Sequence, residues 1–151
     1  MSALAQAKEK LEAMKGQETG TSDWHQITQE QINLFADATG DHQWIHVDEE
    51  KAKQFLGTTI AHGYLTLSLL PALSSGGLAI EGVTRGINYG SNKVRFTNMV
   101  PTGSKVRCVT KLQDVAEKGG GLLLTNEVTM EIEGQERPAM IAETLTMIFF
   151  D

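Results

Sequence analysis

Asp41 and His46 stand five positions apart in the run Ala36-Asp37-Ala38-Thr39-Gly40-Asp41-His42-Gln43-Trp44-Ile45-His46-Val47-Asp48, and Ile60-Ala61-His62-Gly63 follows soon after. A carboxylate and an imidazole that share one water molecule form an acid/base pair. A glycine at the start of a helix offers a backbone N–H to a carbonyl oxygen that gains negative charge. These parts suit adding water to an acyl thioester, or removing it. Full extension would separate Asp41 from His46 by up to about 17 Å, so cooperation requires the intervening chain to curl. Gly40 makes that curl accessible, and the Gln43 amide can hold the loop or orient a side chain.

The elements around these residues can be read from capping and periodicity. Thr28-Gln29-Glu30-Gln31 is a Thr-x-x-Gln capping box, and Ile32, Phe35, Ala36 and Thr39 continue it as one helical stripe. Gly40 ends this helix, because glycine adopts the left-handed conformation common just past a C-terminus. Residues 41–46 are therefore expected in the loop that follows. Asp48, Glu49 and Glu50 place acids in the first turn of a second short helix, where the macrodipole favours them. Residues 56–61 read as a loop. Over residues 62–75 the apolar positions cover nearly the whole circumference of a helix, which means burial on most sides. Pro71 should loosen this helix late in its length, and Gly76-Gly77 should stop it.

The remainder reads as strands. Val106, Cys108, Thr110 and Leu112 alternate with Lys105, Arg107, Val109 and Lys111, and Val128, Met130 and Ile132 alternate with Glu127, Thr129, Glu131 and Glu133. Turns at Pro101-Thr102-Gly103, Gly119-Gly120-Gly121 and Glu133-Gly134-Gln135 are spaced for antiparallel hairpins. Residues 139–150 are apolar on both faces, so that strand should be central or covered by a partner. Residues 23–27 read as a short extended piece. In residues 1–16, Leu4, Ala7, Leu11 and Met14 form the stripe of an amphipathic helix, packed on the domain or on a partner subunit. One buried helix with a mostly antiparallel sheet makes an α+β domain.

With 151 residues, 40% hydrophobic and 21% charged, the chain suits one soluble globular domain, 1–151. A net charge of -6 and a pI of about 5.2 argue against general binding to nucleic acid or anionic membranes. Cys108 is the only cysteine, so neither an internal disulfide nor a thiol metal cluster is available, which fits a reducing cytoplasm. Residues 1–16 lack the apolar core of a signal peptide. His25, His42 and Asp48 suggest a metal site with His46, but Gln43-Trp44-Ile45 between His42 and His46 does not read as helical, and no metal is expected. Cys108 alternates with apolar residues and reads as packed.

Gly40-Asp41-His42-Gln43-Trp44-Ile45-His46 together with Ala61-His62-Gly63 resembles the signature of MaoC-like dehydratases, the (R)-specific enoyl-CoA hydratases of the hydratase 2 type, including the nodulation protein N branch. The resemblance spans residues 24–101, with Asn88-Tyr89-Gly90-Ser91-Asn92-Lys93-Val94-Arg95-Phe96 adding to it. It implies a hotdog fold, a sheet wrapped around the long helix, joined edge to edge in a homodimer. It also implies that Asp41 and His46 are the catalytic pair, that the Gly63 N–H binds the thioester oxygen, and that Ser68 is a helix serine near the pair. The family more often has Asn-Pro where this chain has Gln43-Trp44, so Trp44 is expected to reshape the acyl pocket.

Gln43, Trp44, His62, Lys93 and Arg95 are the substrate-binding candidates. For His62 the favoured reading is structural, capping the helix or bracing the loop instead of entering the chemistry. For Ser68 the alternative is a hydroxyl bonded back to a carbonyl one turn earlier. Among the strand cations Arg85, Lys93, Arg95, Lys105 and Arg107, the second and third are favoured for coenzyme A phosphates. The implied reaction is reversible hydration of a trans-2-enoyl thioester, carried by coenzyme A or an acyl carrier protein, with no cofactor beyond the coenzyme A of the substrate. Competing functions on the same fold are an acyl-CoA thioesterase and a non-catalytic acyl-thioester binder.

Overall fold

The computed structural model describes residues 1–74 and 78–151. Twelve elements follow in order: α1 (Ala3–Met14), β1 (Glu18–Thr21), β2 (His25–Gln26), α2 (Gln29–Thr39), α3 (Trp44–Val47), α4 (Glu49–Leu56), α5 (Gly63–Ser68), α6 (Leu70–Ser74), β3 (Arg85–Phe96), β4 (Lys105–Lys118), β5 (Gly121–Ile132) and β6 (Met140–Phe149). All strand pairings are antiparallel, in the order β1-β4-β5-β6-β3, with β2 also on β4. The sheet laid against α5 and α6 is the α+β hotdog arrangement. As its two apolar faces require, β6 is interior, held between β5 and β3.

Strand alternation puts one row of side chains on the helix-bearing face. Val106 and Cys108 of β4 and Val128, Met130 and Ile132 of β5 join Ile27, Ile32, Leu65, Leu69 and Leu70 in the main core. Burial pushes the Cys108 thiol pKa up, consistent with a packed rather than reactive group. Farther along the same strands Leu112, Val115, Leu122 and Leu124 form a second cluster with Ala7 and Leu11 of α1. The N-terminal helix thus packs on its own domain, and α1 and the α5–α6 pair share one sheet. Ser2 starts α1 by accepting a hydrogen bond from the Ala5 N–H at 3.1 Å.

Three expectations need correction. First, the buried helix comes as two pieces. Pro71 has no N–H to give the Leu67 carbonyl, and its ring crowds the preceding turn. The ladder breaks at Leu69, whose N–H is shared between Leu65 O at 3.1 Å and Thr66 O at 3.3 Å. Ser75 and the Gly76-Gly77 stop lie outside the described residues. Second, residues 44–47 form the single turn α3 instead of loop, closed by Asp48 N–H donating to Trp44 O at 3.0 Å. Third, β1 went unanticipated: four residues rich in Thr and Gly carry no hydrophobic alternation, and their pairing to β4 is what makes them a strand.

Leu11 is completely buried between α1 and the sheet. Leu11→Ala should therefore lower unfolding stability by about 2–5 kcal/mol, read from denaturant midpoints. A loss within about 0.5 kcal/mol would mean that α1 does not contribute to the folded core.

Candidate active site

Each polar side chain of the site is placed by a cap or a backbone bond. At the end of α2, Gly40 adopts φ 82° and its N–H closes on Ala36 O at 2.8 Å, which turns the chain back on itself. Asp41 follows, half-buried, its carboxylate accepting the Gln43 N–H at 3.4 Å. The α3 turn then carries His46 inward until it is 6% exposed. The curl that cooperation demanded is present: an Asp41 carboxylate oxygen and one ring nitrogen each from His46 and His62 lie within 4.8 Å of one another.

The segment after α4 fixes both histidines. His46 Nδ1 lies 2.7 Å from the Ile60 carbonyl oxygen, which only accepts, so Nδ1 carries a proton and the lone pair of the neutral ring is on Nε2. Ile60 N–H returns a bond to Ile45 O at 3.0 Å, and the Gln29 amide donates to His46 O at 2.8 Å. His62 Nε2 donates to the Asp41 carbonyl at 3.0 Å while its ring stacks on His46, centroids 3.8 Å apart and planes 24° apart. The His62 Nδ1 atom is buried with no hydrogen-bond partner among the described residues. Burial lowers the His62 pKa, ahead of the opposing bond to Asp41 and the repulsion from His46. Stacked rings hold their nitrogen lone pairs in nearly parallel planes, an arrangement ill suited to converging on one metal ion.

A cavity of about 420 Å³ opens beside this cluster, lined by His46, Ile60, Ala61, Gly63, Thr66, residues 96–100, Arg137 and Ala139. The Gly63 N–H has no acceptor among the described residues. A Cβ at Gly63 would meet the Phe96 ring at 3.0 Å, so any larger residue here would have to displace that ring. The cavity therefore holds an imidazole with a fixed tautomer, an open backbone donor and a largely apolar wall.

The MaoC like domain family matches residues 10–132. The chain is 53% identical to 3-hydroxyacyl-thioester dehydratase Z of Mycobacterium tuberculosis over 89% of its own length and 91% of that protein. It is 49% identical to nodulation protein N of Rhizobium leguminosarum bv. viciae over 90% and 87% of the two chains. This chain belongs to the MaoC-like family. Among solved structures, the (R)-hydratase from A. caviae involved in PHA biosynthesis shares the fold, with a TM-score of 0.72 at 21% identity over 87% of this chain and 94% of that one. R-hydratase PhaJ1 from Pseudomonas aeruginosa does likewise, with a TM-score of 0.71 at 22% identity over 91% and 83%.

In this MaoC-like chain the expected residues separate into two groups. Asp41, His46 and His62 come together, and of the predicted catalytic residues His46 and Gly63 line the cavity while Asp41 stands behind His46, outside the lining. Ser68 does not line the cavity and is exposed: five positions past Gly63, it has rotated to another side of α5. Trp44 packs edge-on against Phe55 of α4, centroids 5.8 Å apart, with the Lys51 ammonium over its ring, and is not part of the cavity wall. Gln43 steadies the loop through its backbone N–H instead of its exposed side-chain amide. His62 underlies the cavity as a support and does not line it.

The cations and remaining histidines are also displaced from expectation. Lys93 and Arg95 are exposed on β3, away from the cavity, and Arg95 donates to the Val94 carbonyl. Arg85 pairs with Asp151 at 3.0 Å and Arg107 with Glu131 at 2.6 Å. Arg137, on the turn before β6, is instead the cation that lines the cavity. No periodicity marks it, since the turn is placed by tertiary packing. His42 bonds exposed Asp37 at 2.9 Å, which raises its pKa; His25 bonds Gln31, and Asp48 caps α4. None of these three joins His46. Thr66 was also missed, although its i+3 spacing from Gly63 was a usable signal.

Because the folded pKa of His62 lies below its ordinary 6.5, the unfolded chain takes up the proton first. Its contribution leaves stability unchanged above about pH 7.5 and diminishes it as pH falls through the unfolded pKa toward the folded one. His62→Phe keeps a ring against His46 but cannot titrate. Denaturant midpoints at about pH 7.5 and about pH 5.5 should show a smaller acid loss in this variant than in wild type, and equal losses would refute the assignment.

Proposed function

We propose that Asp41 and His46 hold and activate the water of a reversible hydration, while the Gly63 N–H receives the thioester oxygen. The protein is a hydro-lyase, an (R)-specific enoyl-CoA hydratase and 3-hydroxyacyl-thioester dehydratase. The observation carrying the residue assignment is the Nδ1–Ile60 bond, which leaves His46 Nε2 as an acceptor at a cavity that also presents the open Gly63 N–H.

In hydration, the water oxygen bonds to C3 of the trans-2-enoyl thioester and one of its protons passes to the Asp41/His46 pair. The C2–C3 π electrons move toward the carbonyl, and the enolate oxygen is held by the Gly63 N–H. A proton delivered from the pair to C2 then completes the 3-hydroxyacyl product. Dehydration runs the same steps backward. No cofactor enters beyond the coenzyme A of the substrate, and the carrier is coenzyme A or an acyl carrier protein. Arg137 lines the cavity and in this reading is the cation offered to a phosphate of either carrier.

The working unit in this reading is a homodimer of one domain per chain. Its support is β3, an edge strand whose Ile87, Tyr89 and Phe96 are exposed and which pairs on its outer side with no strand among the described residues. The location in this reading is the cytoplasm: among the described residues no helix is long and apolar enough to cross a membrane, and Cys108 is a buried free thiol.

Crotonyl-CoA should lose its enoyl absorbance in the presence of the protein without release of free thiol. Asp41→Asn and His46→Gln, each checked for folding, should lower the rate by about 10²–10⁴-fold. Thiol release would indicate a thioesterase, and thermal stabilisation by enoyl-CoA without turnover would indicate a binding protein.

A further inference from the structure

We infer that Thr66 is a second hydrogen-bond donor to the thioester carbonyl oxygen, acting beside the Gly63 N–H. The inference rests on the hydration reading above and extends it to a residue that resemblance does not single out. Thr66 lines the cavity with His46 and Gly63 and is 2% exposed. Its hydroxyl makes no hydrogen bond to any described residue. Helical threonine commonly returns its hydroxyl to the carbonyl four residues earlier. Here that carbonyl, His62 O, accepts the Leu65 and Thr66 N–H groups at 3.1 and 3.2 Å instead.

Position explains which substrate atom the hydroxyl meets. Residues three apart share a helix face with Cβ atoms roughly 5–6 Å apart, and side chains lean toward the N-terminal end of their helix. The Thr66 hydroxyl therefore leans toward the end of α5 where the Gly63 N–H stands. A carbonyl oxygen has two lone pairs, and one backbone donor occupies only one of them. A second donor gains strength as the enolate forms, so its effect belongs to the transition state. Ser68, the helix serine implied by resemblance, is exposed and does not line this cavity.

The test compares Thr66→Val, which keeps the shape and removes the hydroxyl, with Thr66→Ser, which restores it, and with Ser68→Ala. With crotonyl-CoA, Thr66→Val should lower kcat and kcat/KM together by about 10²-fold, and Thr66→Ser should recover most of that loss. Wild-type kcat in Thr66→Val, a change in KM alone, or an equal loss in Thr66→Ser would overturn the inference. So would a loss confined to Ser68→Ala.

A readout that needs no turnover separates this inference from the hydration reading. In an Asp41→Asn background, the infrared carbonyl stretch of bound crotonyl-CoA should lie below its solution frequency and move back toward it when Thr66→Val is added. An unmoved stretch would refute the Thr66 donor even if Asp41 and His46 prove catalytic. A stretch that moves as expected in a protein whose wild type fails to hydrate would leave Thr66 as a ligand to the carbonyl while the hydration reading falls.

Discussion

The hydrogen bond from His46 Nδ1 to the Ile60 carbonyl is the constraint on which the site depends. It joins two chain segments separated by all of α4, and it decides which nitrogen of His46 bears a proton. Without it the ring could change tautomer and direction, and the imidazole at the cavity would be donor or acceptor at random. The flanking bonds, Ile60 N–H to Ile45 O and Ala61 N–H to Val100 O, tie the same short segment to α3 on one side and to the approach to β4 on the other. One strip of backbone thus locates His46, His62 and Gly63 together.

This placement carries a local cost. His62 buries an acceptor nitrogen that no described residue satisfies, a situation that typically costs about 1–3 kcal/mol. In return the ring supports His46 from beneath and holds the Asp41 carbonyl, so the imidazole and carboxylate are set by one rigid stack. Phe35 closes the stack from the α2 side with ring centroids 4.8 Å from His62. The apolar core supplies the stability that allows a polar site to be left incompletely satisfied.

Much of this was legible from local signals. The Thr28 cap, the left-handed Gly40 and the alternation of β4 and β5 act over a few residues and appear where spacing put them, whereas the Gln31 side chain leaves its capping-box place to bond His25 and Asp48 caps α4 instead of lying in its first turn. The α3 turn was not legible, because four residues carry too little periodicity to declare a helix and their closure relies on Gln29 and Ile60. The broken helix was half legible: Pro71 announces the break, while the position of the break at Leu69 follows from the turn its ring crowds. Within the site, the spacing of Asp41, His46 and Gly63 was readable, whereas the Trp44 side chain, drawn away onto Phe55, and Arg137 depend on contacts distant in sequence.

The ring that covers Gly63 belongs to the last residue of β3, an edge strand of the sheet. One wall of the cavity is therefore borrowed from the part of a sheet least restrained by neighbours, where hydrogen exchange and fraying begin. Whatever steadies that margin steadies the aperture above the open amide, and whatever loosens it widens the opening. Quaternary assembly along β3 would in this way act as a thermal damper on the pocket, linking protein concentration to the shape that an acyl chain encounters.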